Sequence, residues 1–171
     1  PSLPIWQSPG TQRTFINKDS SGGRSYCFRL EPDGKLQFYT SPDGSTVNSA
    51  TSSIQVGAPN NATKFLRVTK VVSTGIVTFY TSDDGITWTQ LGTPQSSPVE
   101  AIRAGTAIVE IGSRLVGSSM VMHGKIYSVK VFNGNGGTLA VNFDANDYRK
   151  TDPTNQSSWT ASQTGGTWTI N

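Results

Sequence analysis

Apolar and polar residues alternate along most of this chain, in short runs separated by turns rich in Gly, Asp and Asn. The alternation is clearest in SYCFRLEPDGKLQFYTS, where Tyr26, Phe28 and Leu30 are spaced two apart and the pattern resumes after Pro32-Asp33-Gly34. Residues spaced by two lie on one face of a strand, and Asp-Gly readily adopts the left-handed angles of a tight turn. This stretch therefore predicts a β-hairpin.

The same pattern continues to the end of the chain. Further predicted strands lie at 65–72, 76–82, 86–91, 107–113, 124–132 and 138–144, and a terminal hairpin is predicted from 157–162 and 167–171. Only DANDYRK, residues 144–150, is compatible with a single helical turn. Many short strands with regular turn signals predict an all-β fold, either a sandwich or a barrel.

One stretch is nearly repeated: FYTSPDGST at 38–46 returns as FYTSDDGIT at 79–87. No third copy occurs at the same spacing after the second, and two copies cannot build a β-propeller. Each copy carries Phe and Tyr at successive strand positions, which face opposite sides of a sheet. We expect the repeat to be architectural, with one ring in the core and the other on the outer face.

The N-terminal residues differ from the rest. Residues 1–12 include three prolines in PSLPIWQSPG, and we expect an extended lead-in whose Ile5 and Trp6 pack onto a single domain spanning 13–171. The chain begins at Pro1 and not at Met, and we expect it to be either processed or excised from a longer polypeptide. No apolar run reaches the length of a membrane span, so we expect no membrane contact.

Composition and charge narrow the classes of partner. Ser and Thr make up about a quarter of the residues, whereas charged residues are only 15%. This suits strands whose outer faces carry hydroxyl groups. The net charge of +3 comes from scattered Lys and Arg residues, not from one basic stretch. We therefore expect no nucleic-acid binding, which normally needs a concentrated basic face.

Few residues could perform chemistry. Cys27 lies in the alternation of a predicted strand, and His123 has no second His and no Cys near it in the sequence to form a metal site. Most aspartates fall in turns, where Asp serves backbone geometry. We expect no enzyme activity, no metal site and no cofactor, with a weak calcium ion near Asp83 and Asp84 as the alternative.

Binding is the remaining class of function. Flat aromatic rings stack on sugar faces, and four strand aromatics could be exposed for this purpose: Trp88, Tyr80, Tyr39 and Tyr127. The alternative for each is a place in the core. Trp159 and Trp168, on the two arms of the terminal hairpin, are expected to form a structural cross-strand pair.

Four stretches carry a resemblance to a known family. RSYCFRLEPDGKLQFYTSPDG, TFYTSDDGITWTQLG, GKIYSVKVFNGNGGTLAVNFDANDY and SWTASQTGGTWTIN resemble, in order and spacing, the concanavalin A-like lectin/glucanase (laminin-G-like) domains of bacteriophage tail and other virion proteins. The resemblance covers roughly residues 13–171. It implies a jelly roll, that is, a two-sheet antiparallel β-sandwich. The acidic strand motif of the family's glucanases and the acidic metal cluster of its legume lectins are both absent.

The resemblance also implies a function. We expect a non-catalytic virion domain, on a tail or receptor-binding protein, that binds host cell-surface carbohydrate. The alternative is a structural or decoration module that contacts other virion subunits without sugar; an enzyme acting on glycans is a third, less favoured reading. The expected location is the particle surface, and whether the chain is a homo-oligomer is left open.

One departure concerns the start of the fold. Domains of this family usually begin with a strand that pairs near the final one, and no such strand is evident in the sequence. Either LPIWQ supplies it, or it lies upstream or on a neighbouring subunit.

Overall fold

A computed structural model describes residues 5–147 and the backbone of two strands at 158–160 and 167–169. The chain divides into two compact units, residues 1–125 and 126–171, which are described separately. The strands are β1 (Arg13–Lys18), β2 (Tyr26–Leu30), β3 (Lys35–Thr40), β4 (Asn48–Gln55), β5 (Phe65–Val71), β6 (Ile76–Ser82), β7 (Thr89–Gln90), β8 (Gln95–Ser96), β9 (Glu110–Ile111), β10 (Ser128–Asn133), β11 (Thr138–Asp144), β12 (Ser158–Thr160) and β13 (Thr167–Thr169).

The first sheet of unit 1, sheet A, has the strand order β4-β3-β2-β1-β9 and is antiparallel throughout. The predicted hairpin joins β2 and β3, with Leu30 opposite Leu36. Gly34 has a φ of 83°, the left-handed conformation that its turn needs.

The second sheet of unit 1, sheet B, contains β5-β6-β7, and β8 also pairs with β6. The predicted hairpin of β5 and β6 places Val71 opposite Ile76. The pairings in both sheets are antiparallel, and the all-β fold class is confirmed, with an architecture consistent with a sandwich.

The two sheets pack through apolar side chains. The Phe28 ring of sheet A stacks on the Phe79 ring of sheet B, with 6.4 Å between centroids. Leu30, Leu36 and Val77 are almost fully buried beside them. A fully buried Phe or Leu contributes roughly 1.5–3 kcal/mol of transfer free energy, so this layer is the main stabilising feature of unit 1.

Trp6 of the lead-in packs onto the strands of unit 1 as expected. Trp6 is 4% exposed, and its indole N–H donates to the carbonyl of Ala62 at 2.7 Å. The side-chain oxygen of Asn60 accepts the Trp6 backbone N–H at 2.8 Å. The Trp6 ring lies 6.3 Å from that of Phe15, which anchors the lead-in to β1.

The sequence pattern does not predict β1, β4 or the two-residue β8. β1 lies inside sheet A between β2 and β9, so unit 1 has its own N-terminal strand, and Ile5–Gln7 of LPIWQ belongs to no strand. Two features hide β1: a bulge between Thr14 and Ile16 breaks its alternation, and the buried positions include polar Asn17.

β4 is hidden by its Ser- and Thr-rich sequence. Its pairing with β3 contains an irregularity between Lys35 and Gln37, where the Leu36 N–H meets no regular ladder partner. The Ser52 hydroxyl accepts that N–H at 3.0 Å. A buried hydroxyl thus completes the sheet at a position where an apolar residue could not.

Three predicted strands are shorter than expected. The run at 86–91 contains only the two residues of β7, the run at 107–113 only the two of β9, and the run at 124–132 becomes a strand only from Ser128. β7 and β9 pair at the margin of a sheet, where few ladder hydrogen bonds are formed.

Unit 2 contains two hairpins. β10 and β11 pair from Ser128–Asp144 to Asn133–Thr138, and residues 145–147 form the expected helical turn. β12 and β13 form the predicted terminal hairpin, with positions 159 and 168 directly opposite each other. The prediction of a single domain over 13–171 stays a prediction.

Candidate functional site

The two copies of the repeat form the same turn. In the first copy Asp43 Oδ1 accepts the backbone N–H groups of Ser45 and Thr46 at 2.8 and 2.7 Å. In the second copy Asp84 Oδ1 accepts those of Ile86 and Thr87 at the same two distances, 2.8 and 2.7 Å.

A serine two residues before each Asp completes the turn. The Ser41 hydroxyl accepts the Gly44 N–H, and the Ser82 hydroxyl accepts the Gly85 N–H, both at 2.9 Å. The shared letters Ser-x-Asp-Gly-x-Thr therefore encode one hydrogen-bonded turn. The architectural interpretation of the repeat is confirmed.

The aspartate carboxylate in each turn accepts hydrogen bonds from residues of the same turn, which lowers its pKa. The Thr46 hydroxyl and the N–H groups of Ser45 and Thr46 hold the pKa of Asp43 well below its ordinary value, and the N–H groups of Ile86 and Thr87 lower that of Asp84 to about 2. Asp83 pairs with the Lys64 ammonium group.

The described part of the chain does not bring potential metal ligands together. Among residues 5–147, no three His, Cys, Asp or Glu side chains form a group that could hold a metal ion. The same residues include no helix long and apolar enough to cross a membrane.

Tyr39 is not an exposed ligand-binding ring, contrary to the expectation from the sequence. It is only 4% exposed. Its hydroxyl donates to the carboxylate of Asp19, which is fully buried. The carboxylate also pairs with Arg24 at 2.8 Å and with Arg114 at 2.5 Å. Tyr39 therefore belongs to a buried polar network under the segment that carries Arg114.

The charges in this network follow from its contacts. Burial raises the pKa of Asp19, but the Tyr39 hydrogen bond and the two arginines outweigh it, so the pKa lies below its ordinary value. Burial raises the pKa of Tyr39 far above normal, and that of the nearby Cys27 thiol to about 11. Cys27 is a fully buried thiol on β2, which confirms the prediction of a strand cysteine.

Tyr80 and Trp88 are brought together by a residue that sequence analysis missed. Arg67 on β5 lies opposite Tyr80 on β6, and its guanidinium carbon is 4.4 Å from the Tyr80 ring centroid. The same carbon is 4.5 Å from the ring centroid of Trp88. Arg67, Tyr80 and Trp88 are referred to as the Arg67 cluster.

The Arg67 cluster lies on the outer face of sheet B. Phe79, the neighbour of Tyr80, is fully buried against sheet A, so Tyr80 points the other way. Both rings of the cluster are half-buried and Arg67 is exposed. The expectation of one core ring and one outer ring is confirmed for this copy of the repeat. The observed register, in which Val71 lies opposite Ile76, places Arg67 opposite Tyr80. The predicted turn at 73–75 did not fix this register, so the sequence offered only the hairpin itself as a signal.

A shallow depression of about 340 Å³ lies at the end of sheet B. Polar side chains of the second turn and its flanking strands line it: Thr81, Ser82, Asp83, Asp84, Thr87 and Thr89. Thr81 follows Tyr80 in the strand, so its side chain lies on the face opposite the Arg67 cluster. The depression therefore presents hydroxyl groups at the end of sheet B, separate from the two rings.

Tyr127 and His123 belong to other parts of the chain than the Arg67 cluster. Tyr127 is 57% exposed and belongs to unit 2, where its carbonyl accepts the backbone N–H of Ala145 at 2.8 Å. His123 is exposed in the segment that follows β9. Of the four predicted binding residues, the structure therefore joins two, buries one and places the fourth in the other unit.

No protein-family model, curated protein or solved structure matches this chain.

Proposed function

We propose that this chain is a non-catalytic binding domain for host cell-surface carbohydrate, carried by a phage tail or receptor-binding protein. The observation that supports it is the Arg67 cluster, in which two aromatic rings and an exposed guanidinium group meet on the outer face of sheet B. This combination offers both kinds of contact that a sugar uses.

The physical basis is the amphipathic nature of sugars. The C–H face of a pyranose packs on an aromatic ring, while its hydroxyl groups need hydrogen-bond partners. Tyr80 and Trp88 supply the rings, and Arg67 supplies N–H donors. The sheet holds Arg67 and Tyr80 in a fixed register, because the two residues are cross-strand partners.

The biological setting of the proposal rests on the resemblance of the quoted stretches to virion domains. It places the chain on the particle surface, with other virion subunits as neighbours and a host glycan as ligand. No nucleic acid, membrane or cofactor takes part in this proposal.

Binding to an array of bacterial surface glycans tests the proposal. Trp88→Ala and Tyr80→Ala are expected to weaken binding at least about tenfold, equivalent to about 1.4 kcal/mol, because each removes a stacking surface. Ile86→Ala is the control, since Ile86 is 83% exposed in the adjacent turn and carries no ring. Circular dichroism of each variant establishes that the fold is retained. Failure of the native chain to bind any glycan would contradict the proposal.

A second candidate function is a structural module that contacts other virion subunits. The far end of sheet B favours it, because Val71, Val72 and Ile76 are each between 37% and 40% exposed there. Exposed apolar residues in contact often mark protein interfaces. Val71→Ser with Ile76→Ser would then abolish co-purification with virion proteins, and the native chain would bind no glycan on the array.

A further inference from the structure

Arg67 differs from the other arginines of the described chain in its hydrogen bonding. The remaining five in residues 5–147 each donate to, or pair with, an acceptor within the protein: Arg13, Arg24, Arg29, Arg103 and Arg114. For Arg67 the described residues supply no such acceptor, and its contacts are the two rings. No group of the described residues therefore occupies its N–H groups, which can donate to a ligand.

The rings fix the position of this guanidinium group. An exposed arginine side chain normally samples many rotamers, and ordering it on binding costs free energy. Contacts at 4.4 and 4.5 Å to two ring centroids restrict that freedom before any ligand arrives. The cluster thus presents a pre-positioned fork of donors.

The two carboxylates of the turn between Tyr80 and Trp88 already have partners within the protein. Asp84 accepts two N–H groups of its own turn, and Asp83 pairs with Lys64. Neither forms an ion pair with Arg67, although both lie in the turn that leads from Tyr80 to Trp88. The positive charge of Arg67 is therefore not neutralised by a protein side chain of the described region.

We infer that the Arg67 cluster selects glycans that carry an oxyanion, either a carboxylate or a phosphate, with the anion at Arg67 and the sugar ring on Tyr80 or Trp88. Guanidinium groups bind both anions through two parallel hydrogen bonds, a geometry that a hydroxyl group cannot match. This inference rests on the proposed function and specifies its ligand class.

Matched pairs of glycans test the inference. Oligogalacturonate is compared with its methyl ester, and an oligosaccharide that carries a phosphomonoester group with its dephosphorylated form, by calorimetry at two salt concentrations. The native chain is expected to bind the acidic member of at least one pair about tenfold more tightly, and the preference is expected to shrink at high salt. The pair that shows the preference identifies the source of the anion.

Variants at one position separate charge from geometry. Arg67→Gln is expected to remove the preference, so that the acidic and neutral forms of each pair bind with affinities equal within about twofold. Arg67→Lys keeps the charge but not the fork, and an intermediate preference is expected. Lys35→Gln, which removes one positive charge from sheet A, is the control and should behave as the native chain.

The outcomes distinguish the inference from the function on which it rests. Equal binding of acidic and neutral glycans, unchanged in Arg67→Gln, overturns the inference and leaves carbohydrate binding intact. An anion preference that persists in Arg67→Gln also overturns it, because the anion would then bind elsewhere. No binding to any glycan overturns both.

Discussion

Asp19 is a fully buried carboxylate whose charge is balanced by groups far apart in the sequence. Arg24, Tyr39 and Arg114 each contact it, which ties β3 to the segment after β9. A buried carboxylate left without one of its partners keeps the cost of desolvation. The Tyr39 hydroxyl is therefore expected to matter more for stability than for binding.

Replacing Tyr39 by Phe tests this role. Tyr39→Phe is expected to lower the free energy of unfolding by about 1–3 kcal/mol, because Asp19 loses a buried hydrogen bond. Tyr26→Phe is the matched control on the neighbouring strand, since the described residues provide no hydrogen-bond partner for the Tyr26 hydroxyl. Urea denaturation of both variants gives the comparison. Equal stability of the two would show that the network does not depend on Tyr39.

Tyr39 and Tyr80 occupy equivalent positions in the repeat but have different environments. Sequence alternation correctly placed each Tyr on the face opposite its Phe neighbour. It could not show that Asp19 and Arg114 cover Tyr39, because those residues are distant in sequence and meet only in the folded chain. Exposure of an outer-face residue depends on such non-local contacts, which leave Tyr80 half-buried at the surface and cover Tyr39.

At the scale of elements, the two repeat turns are a matched pair in which only the surroundings differ. Both glycines have left-handed backbones, with φ of 93° at Gly44 and 73° at Gly85. A Cβ on Gly44 would lie 2.5 Å from the carbonyl oxygen of Gly22, whereas one on Gly85 would lie 3.0 Å from the ring of Phe65. Backbone cannot yield easily, but the ring of Phe65, 39% exposed, can.

Alanine substitution at the two glycines is therefore expected to give unequal effects. Both variants incur the left-handed penalty of roughly 1–2 kcal/mol. Gly44→Ala is expected to lose more stability than Gly85→Ala, because it adds a clash with backbone. Thermal unfolding of the two variants measures the difference. A larger loss for Gly85→Ala would mean that Phe65 is held more firmly than its exposure indicates.

The carboxylates of these turns predict an acid-sensitive contribution to stability. The pKa of Asp84 is about 2 against an ordinary value of 3.8, and that of Asp43 is also lowered. Because the folded-state pKa lies below the unfolded one, the unfolded chain binds more protons, and stability falls as the pH drops. The contribution is complete above about pH 4 and is lost towards pH 2.

Asparagine substitutions isolate this effect. The double variant Asp43→Asn and Asp84→Asn keeps an oxygen acceptor in each turn but cannot titrate. Its stability is expected to depend less on pH between 4 and 2 than that of the native chain, while the two differ little in slope near pH 7. Urea midpoints across this range provide the measurement. Identical acid limbs in both proteins would assign the titration to other carboxyls, with Asp19 the first to examine.

The strands that the sequence predicted and those it missed differ in a physical property. β2 carries Tyr26, Phe28 and Leu30 at alternating positions, so its alternation can be read from the sequence. β1 and β4 bury polar groups, including Asn17 and Ser52, whose partners come from other elements. The Arg67 cluster could be predicted only in part. The sequence identifies Tyr80 and Trp88 as candidate binding rings by residue type, but the contact with Arg67 depends on the pairing of β5 with β6.

At the scale of the whole molecule, the two units differ in what they can bury. Unit 1 contains both large sheets and the core around Phe28 and Phe79. The described part of unit 2 consists of two-stranded sheets, and an isolated two-stranded hairpin is at best marginally stable in water. We therefore expect residues 1–125 to fold alone and residues 126–171 not to.

Expressing the two fragments separately tests this expectation. The fragment 1–125 is expected to unfold cooperatively in urea and to keep the near-ultraviolet signal of the buried Trp6, because the contacts of Trp6 with Asn60, Ala62 and Phe15 all lie within it. The fragment 126–171 is expected to show neither a cooperative transition nor a fixed aromatic signal. If 1–125 instead unfolds without cooperativity, the core between the two sheets depends on residues beyond Lys125, and the chain folds as one cooperative body.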